Sequence, residues 1–292
     1  MSAFLFRRYI FLMASLVAGI TGVHAAGNSD SAPHWPQWRG PRRDAVADEQ
    51  NLLKQWPDEG PPVLWSTTGA GTGYASVVIA DGRLITLGDR EDGCYAICFP
   101  TGGGEPLWAT RIGDRWNDGG PRCTPTIAND LLYALTPHGN LCCLAVADGA
   151  VKWQKDMAKD FGGKMMSGWG YSESPLVDGD RLICSPGADD AAVVALSALT
   201  GELIWKASIP DCGGAGYSSP VKTLAAGVPQ YVTVLGNQGG AVGVRASDGK
   251  LLWRHSRVAG RVANIPTPIV RDDLVFYSTG YDDGGCALLK LT

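Results

Sequence analysis

Short apolar, β-branched runs alternate along this chain with Asp-Gly, Asn-Asp and Gly-Gly pairs, from about residue 70 to the last residue. Residues 171–208 show the unit. Tyr171-Ser-Glu-Ser-Pro-Leu-Val leads into a strand, and Asp178-Gly179-Asp180 turns. Arg181 to Ser185 is a second strand, Gly187 to Asp190 turns again, and Ala191 to Ala198 is a third. Thr200-Gly201 makes the next turn, and Glu202 to Ser208 is a fourth strand. Strand-length runs punctuated in this way predict an antiparallel meander. Elsewhere Asp81-Gly82, Asn129-Asp130 and Asp272-Asp273 take the first turn, and Asp92-Gly93, Gly139-Asn140, Gly239-Gly240 and Asp283-Gly284 the second. No segment shows convincing helical periodicity. An all-β fold is expected.

The unit repeats. Aligned on the Thr-Gly or Asp-Gly pair, a small residue comes first (Ala96, Cys143, Ala195, Gly243) and an aliphatic one next (Ile97, Leu144, Leu196, Val244). A tryptophan follows the turn (Trp108, Trp153, Trp205, Trp253), with a two-residue insertion in the first copy. From Trp65 through these four the intervals are 43, 45, 52 and 48 residues. A period of about 45 suits a four-stranded propeller blade. In such a fold a large flat ring on the outer strand fills the wedge between neighbouring blades, removing ~150–250 Å² from water. Trp65, Trp108, Trp153, Trp205 and Trp253 are therefore expected to dock blade on blade. The blades fall at about residues 70–112, 120–157, 169–209 and 216–257, with a partial fifth over 264–292. Pro62-Val-Leu-Trp65-Ser reads as a candidate closing strand (62–68), which would allow a closed five-bladed ring. The favoured expectation is an incomplete propeller, because Thr292 falls at the Thr of a Thr-Gly turn.

Charge and composition narrow the function. The formal net charge is −4, with no Lys/Arg cluster, so there is no electrostatic footprint for nucleic acid. Arg7 and Arg8 precede an apolar run to about Val23, and Val23-His24-Ala25 resembles a small-x-small cleavage site. This predicts a signal peptide over residues 1–25, a lead-in over 26–61, a propeller over 62–292, and a periplasmic or secreted protein. No transmembrane span is expected in the mature chain. Among the eight cysteines, Cys94 and Cys98 flank one strand roughly 13 Å apart, too far for a disulfide. No C-x-x-C pair exists and His24, His34, His138 and His255 are scattered, so no metal site is expected.

The repeats, together with WPQWRGP (Trp35 to Pro41) and GYSESPLVDGDRLICSPG (Gly170 to Gly187), resemble the pyrroloquinoline-quinone (PQQ)-like β-propeller superfamily over about residues 35–292. That superfamily includes quinoprotein dehydrogenases and the propeller lipoprotein of the outer-membrane barrel-assembly machinery, so the resemblance is specific for fold and poor for activity. A quinoprotein would hold PQQ in the central channel on a Ca²⁺ bound by Glu, Asn and Asp, over a Trp floor and beneath a vicinal Cys pair. Cys142-Cys143 are adjacent, but lie inside a third strand rather than in a loop. No haem motif, Ser/His/Asp set or phosphate loop is present, and no catalytic residue is assigned. The channel mouth is the expected ligand site, with Trp116, Asn117 and Asp118 from one connector and Trp169, Tyr171 and Glu173 from another. The expected function is an exported, non-catalytic scaffold or module that binds a protein partner or small ligand there. The alternative is a dehydrogenase of alcohols or sugars that uses PQQ and Ca²⁺.

Overall fold

Strand follows strand in sequence order. The computed structural model describes residues 34–282 and 284–292; the signal expected over residues 1–25 lies outside them. The first sheet holds β1 (Val78–Ala80), β2 (Arg83–Arg90), β3 (Gly93–Pro100) and β4 (Trp108–Gly113). The second holds β5 (Thr126–Ala128), β6 (Leu131–Leu135), β7 (Asn140–Ala145) and β8 (Val151–Asp156). The third holds β9 (Leu176–Asp178), β10 (Arg181–Cys184), β11 (Val193–Ser197) and β12 (Leu203–Ala207). The fourth holds β13 (Val221–Ala225), β14 (Val228–Val234), β15 (Ala241–Arg245) and β16 (Leu251–His255). Three further strands, β17 (Ile269–Arg271), β18 (Leu274–Thr279) and β19 (Gly285–Lys290), form a fifth sheet. Each sheet is an antiparallel up-and-down meander. These are the blades of a β-propeller.

Turn chemistry sets the hairpins. Asp81 and Gly82 both take left-handed backbone, with φ of 49° and 73°, which a tight hairpin turn needs and Asp-Gly supplies. Burial then falls from the middle of a blade outwards. Leu132 to Leu135 and Leu141 to Leu144 are buried on both faces, whereas every residue of β8 and β16 is half-buried or exposed. One short helix interrupts the pattern: α1 (Met157–Phe161) is capped by Asp156, whose side chain accepts from the Ala158 and Lys159 N–H groups. At five residues it is too short to leave an apolar period in the sequence, which is why the all-β reading missed it.

Four of the five tryptophans share one geometry. Trp108 Nε1 donates to Val146 O, Trp153 to Ala198 O and Trp205 to Ala246 O, at 3.0, 3.0 and 3.2 Å. Each ring thus reaches the turn of the next blade. Trp65 Nε1 donates in the same way to Thr101 O at 3.0 Å, although residues 62–68 form no strand. Trp253 differs, since its Nε1 donates to Gln230 Oε1 at 2.6 Å. The small residue of the repeat faces the ring across the sheet: Cys143 pairs with Trp153, Ala195 with Trp205 and Gly243 with Trp253. A Cβ on Gly243 would stand 2.1 Å from Trp253 Nε1, so the indole excludes anything larger. In the first blade the residue opposite Trp108 is Cys98. Alignment on the turn had put Ala96 in that slot. The two-residue insertion moves the slot, and Thr101 then stands three residues after it, as Val146, Ala198 and Ala246 do in their blades.

Candidate functional site

A hydroxyl residue precedes every innermost strand: Ser76, Thr124, Ser174, Ser219 and Thr267, the last four followed by Pro. The backbone N–H of each of the first four donates to the hydroxyl of the next blade. Ser76 N–H meets Thr124 Oγ1 at 3.2 Å, Thr124 N–H meets Ser174 Oγ at 3.1 Å, and Ser174 N–H meets Ser219 Oγ at 2.9 Å. Ser219 N–H meets Thr267 Oγ1 at 3.4 Å. In the last four, proline favours the extended entry that aims each hydroxyl the same way. The result is a relay of hydrogen bonds around the axis.

Two residues upstream of each hydroxyl stand Tyr74, Arg122, Ser172, Tyr217 and Ile265. With Ser174, Ser219 and Thr267 they line an axial cavity of about 360 Å³. The lead-in segment runs across the strands below. Trp35 and Ile79 exchange backbone hydrogen bonds at 2.7 and 2.9 Å, and Ile127 N–H donates to Pro36 O at 2.7 Å. The buried Arg43 guanidinium donates to Ser174 O at 2.8 Å and Pro175 O at 3.1 Å. Trp38 Nε1 donates to Thr267 Oγ1 at 3.2 Å, and its ring lines the cavity. Its neighbours Gln37 and Arg39 instead line a second cavity, with Leu176, Val221 and Ile269. Trp38 therefore floors the axial cavity and makes it a well.

The residues singled out in the sequence are divided by this geometry. Trp169 lines the well, 6.0 Å from the Tyr217 ring and 6.3 Å from that of Tyr281. Tyr171 and Glu173 do not line it. In an extended segment alternate residues face opposite ways, so Ser172 and Ser174 face the axis while Tyr171 and Glu173 enter the blade. There Tyr171 Oη donates to Pro186 O at 2.9 Å, and Glu173 Oε1 accepts the Ser185 N–H at 2.6 Å. Burial pushes the Glu173 carboxyl up to about 7, and its Oε2 has no partner among the described residues. Trp116, Asn117 and Asp118 gather with Arg115 and His138 in a separate depression, where the Trp116 and His138 rings meet edge to face at 4.8 Å. Arg122 connects the two places. It donates to Trp169 O at 3.2 Å and to Asp118 O and Oδ2 at 2.9 and 3.2 Å, and it lies over the Tyr74 ring. The sequence reading missed Trp38, Tyr74, Arg122, Tyr217 and the hydroxyl relay. The recurrence of Ser/Thr-Pro at positions 124, 174, 219 and 267 is the signal that could have found them.

The family model PQQ_2, described as outer membrane protein assembly factor BamB, matches residues 95–287. The chain belongs to this family. A BamB of Moranella endobia is 28% identical over 144 residues, 48% of this chain and 35% of that protein. A BamB of Yersinia pestis is 23% identical over 232 residues, 75% of this chain and 55% of that protein. The chain thus spans about a third to just over half of the length of these curated relatives. The crystal structure of BamB from Moraxella catarrhalis superposes with a TM-score of 0.56 at 16% identity, covering 79% of this chain and 65% of that one. At that identity the likeness shows a shared fold.

The quinoprotein branch of the PQQ-like fold makes a sharper demand than BamB does: Ca²⁺ held by Glu, Asn and Asp beside the quinone. The lining of the well carries no residue of these types. Glu173 points into the blade, and Asn264 commits its side-chain amide to the backbone of Gly260 and Leu235. Among the described residues no cluster of three or more His, Cys, Asp or Glu could hold a metal. Cys142 and Cys143 follow one another along β7, so their side chains take opposite faces; burial pushes their thiols up to about 12 and 11. The donor set does not fit PQQ and Ca²⁺.

Proposed function

We propose that this chain is an exported, non-catalytic propeller that serves as a binding module in the cell envelope, engaging a protein partner through the rim of its axial well. The observation that carries this reading is the character of the well. Its lining is aromatic and hydroxylic, with one cation already paired, and it holds no two groups placed for acid–base or nucleophilic chemistry. The family supports the reading, since its description is that of an outer-membrane assembly factor. The depression formed by Arg115, Trp116, Asn117, Asp118 and His138 offers an aromatic anchor beside charged groups, the composition of an interface centre. Export rests on the Arg-flanked apolar run and the cleavage site ending at Ala25. No helix among the described residues is long and apolar enough to cross a membrane.

The test is photo-crosslinking in the native cell. A benzophenone side chain at Asn117 should give one discrete protein adduct in the envelope fraction, from a chain whose mature terminus follows Ala25. The same group at Lys152, on the outer strand β8, should give none. A chain that keeps residues 1–20 in the cytoplasm, or no adduct at Asn117, would overturn the reading.

A further inference from the structure

We propose that the axial well is a binding site for a neutral saccharide. This goes beyond the partner-binding reading and is tested apart from it, because the well and the rim depression are separate cavities.

Three features of the well select the ligand. The first is its unburied aromatic surface. Tyr74, Trp169 and Tyr281 all line it, yet they remain 70%, 37% and 43% exposed. Such a concentration of flat apolar surface on a soluble fold marks a contact site. Flat rings match the C–H face of a pyranose, which is apolar although its rim is all hydroxyls.

The second feature is the row of hydroxyls deep in the well. Ser174 Oγ, Ser219 Oγ and Thr267 Oγ1 each accept a backbone N–H from the neighbouring blade. Among the described residues none of the three donates onward to a protein acceptor. A ligand in the well therefore meets several O–H donors at the bottom and must present acceptor oxygens to them. An apolar side chain of a peptide would leave those donors buried and unmatched, which is costly.

The third feature is charge. Arg122 is the one charged residue of the lining. Its guanidinium is paired with Asp118 and with the Trp169 and Asp118 carbonyls. An anionic ligand would find no free cation there and would approach the Asp118 carboxylate. A cationic ligand would meet Arg122 itself. A neutral polyol meets neither penalty. The volume of about 360 Å³ lies in the small-ligand range and suits a mono- or disaccharide unit, free or at the end of a longer glycan.

The experiment uses the purified chain on an array of neutral gluco-, galacto- and manno-configured mono- to trisaccharides, with their uronic-acid counterparts alongside. Hits are then titrated by tryptophan fluorescence as free sugars and as chain-terminal units, which separates the two sources. At least one neutral saccharide should bind saturably. Tyr74→Ala and Trp169→Ala should each weaken it roughly three- to tenfold, the value of one aromatic contact. Leu199→Ser, on an outer turn, should leave it unchanged. Because Tyr74 is mostly exposed, its variant keeps the test valid even if Trp169→Ala fails to fold. No saturable binding to any neutral sugar would overturn the proposal. So would tighter binding of the uronates, or binding indifferent to Tyr74→Ala.

Discussion

Trp205 does two things at once: its ring is buried between blades, and its Nε1 donates to the Ala246 carbonyl of the next blade. Stacked at 6.1 Å on Tyr231, it has no room to be replaced by a smaller residue without leaving a cavity. Trp205→Ala should lower the unfolding free energy by ~3–5 kcal/mol, measured by denaturant titration; an unchanged midpoint would show that the ring does not hold the blades together. Glu173 makes a second residue-scale prediction. Burial raises its carboxyl from 4.5 to about 7, against the Ser185 hydrogen bonds and the Arg43 charge. Arg43, itself lowered to about 10 by burial, stays charged across this range, and the neighbouring Cys123 and Cys184 thiols are held neutral. The folded state therefore holds the Glu173 proton more tightly than the unfolded chain does. The contribution is intact below pH 4.5 and is lost as the pH rises through about 7. Glu173→Gln should flatten this loss, raising stability at pH 8 by up to roughly 3 kcal/mol. Equal pH slopes for the two proteins would contradict the assignment.

At the scale of the element, the inner strands are held by what precedes them. Ser174 Oγ accepts the Thr124 N–H from the blade before, and Ser174 N–H passes the relay to Ser219. Ser174→Ala leaves the buried Thr124 N–H without its acceptor and should cost about 1–3 kcal/mol. Ser174→Thr keeps the oxygen and should recover most of it; equal losses in both variants would mean that packing, not the hydrogen bond, is at stake. This level was only partly legible in the sequence. Turn pairs and apolar runs locate strands because hairpin geometry is local. Facing is not local: a shift of one residue exchanges Glu173 for Ser174, and only the relay across blades shows which of the two looks at the axis. The acid drew attention as chemistry, while the serine beside it does the lining. The spacing of the tryptophans from the turn is, one insertion apart, a local feature that the sequence displays directly. The same insertion misplaced the small slot from Cys98 to Ala96, since alignment on a turn cannot say on which side the extra residues fall.

Across the whole molecule, fold and site follow one plan. Strands ordered in sequence build blades, tryptophans reach the next blade, hydroxyls link the inner strands, and the lead-in lays Trp38 beneath them. The propeller was readable from its period, whereas the well was not, because its wall takes one to four residues from each of five distant blades and its floor from the lead-in. The lining consists of aromatics, hydroxyls and a paired Arg122, and it supplies no carboxylate for a Ca²⁺–quinone pair. The decisive measurement is reconstitution of the purified chain with PQQ and Ca²⁺, followed by dialysis, an absorption spectrum and a dye-linked assay with alcohols and sugars. The account predicts no retained quinone and no dye reduction above that of the free cofactor. Stoichiometric quinone retention with Ca²⁺-dependent oxidation of an alcohol or sugar would contradict it.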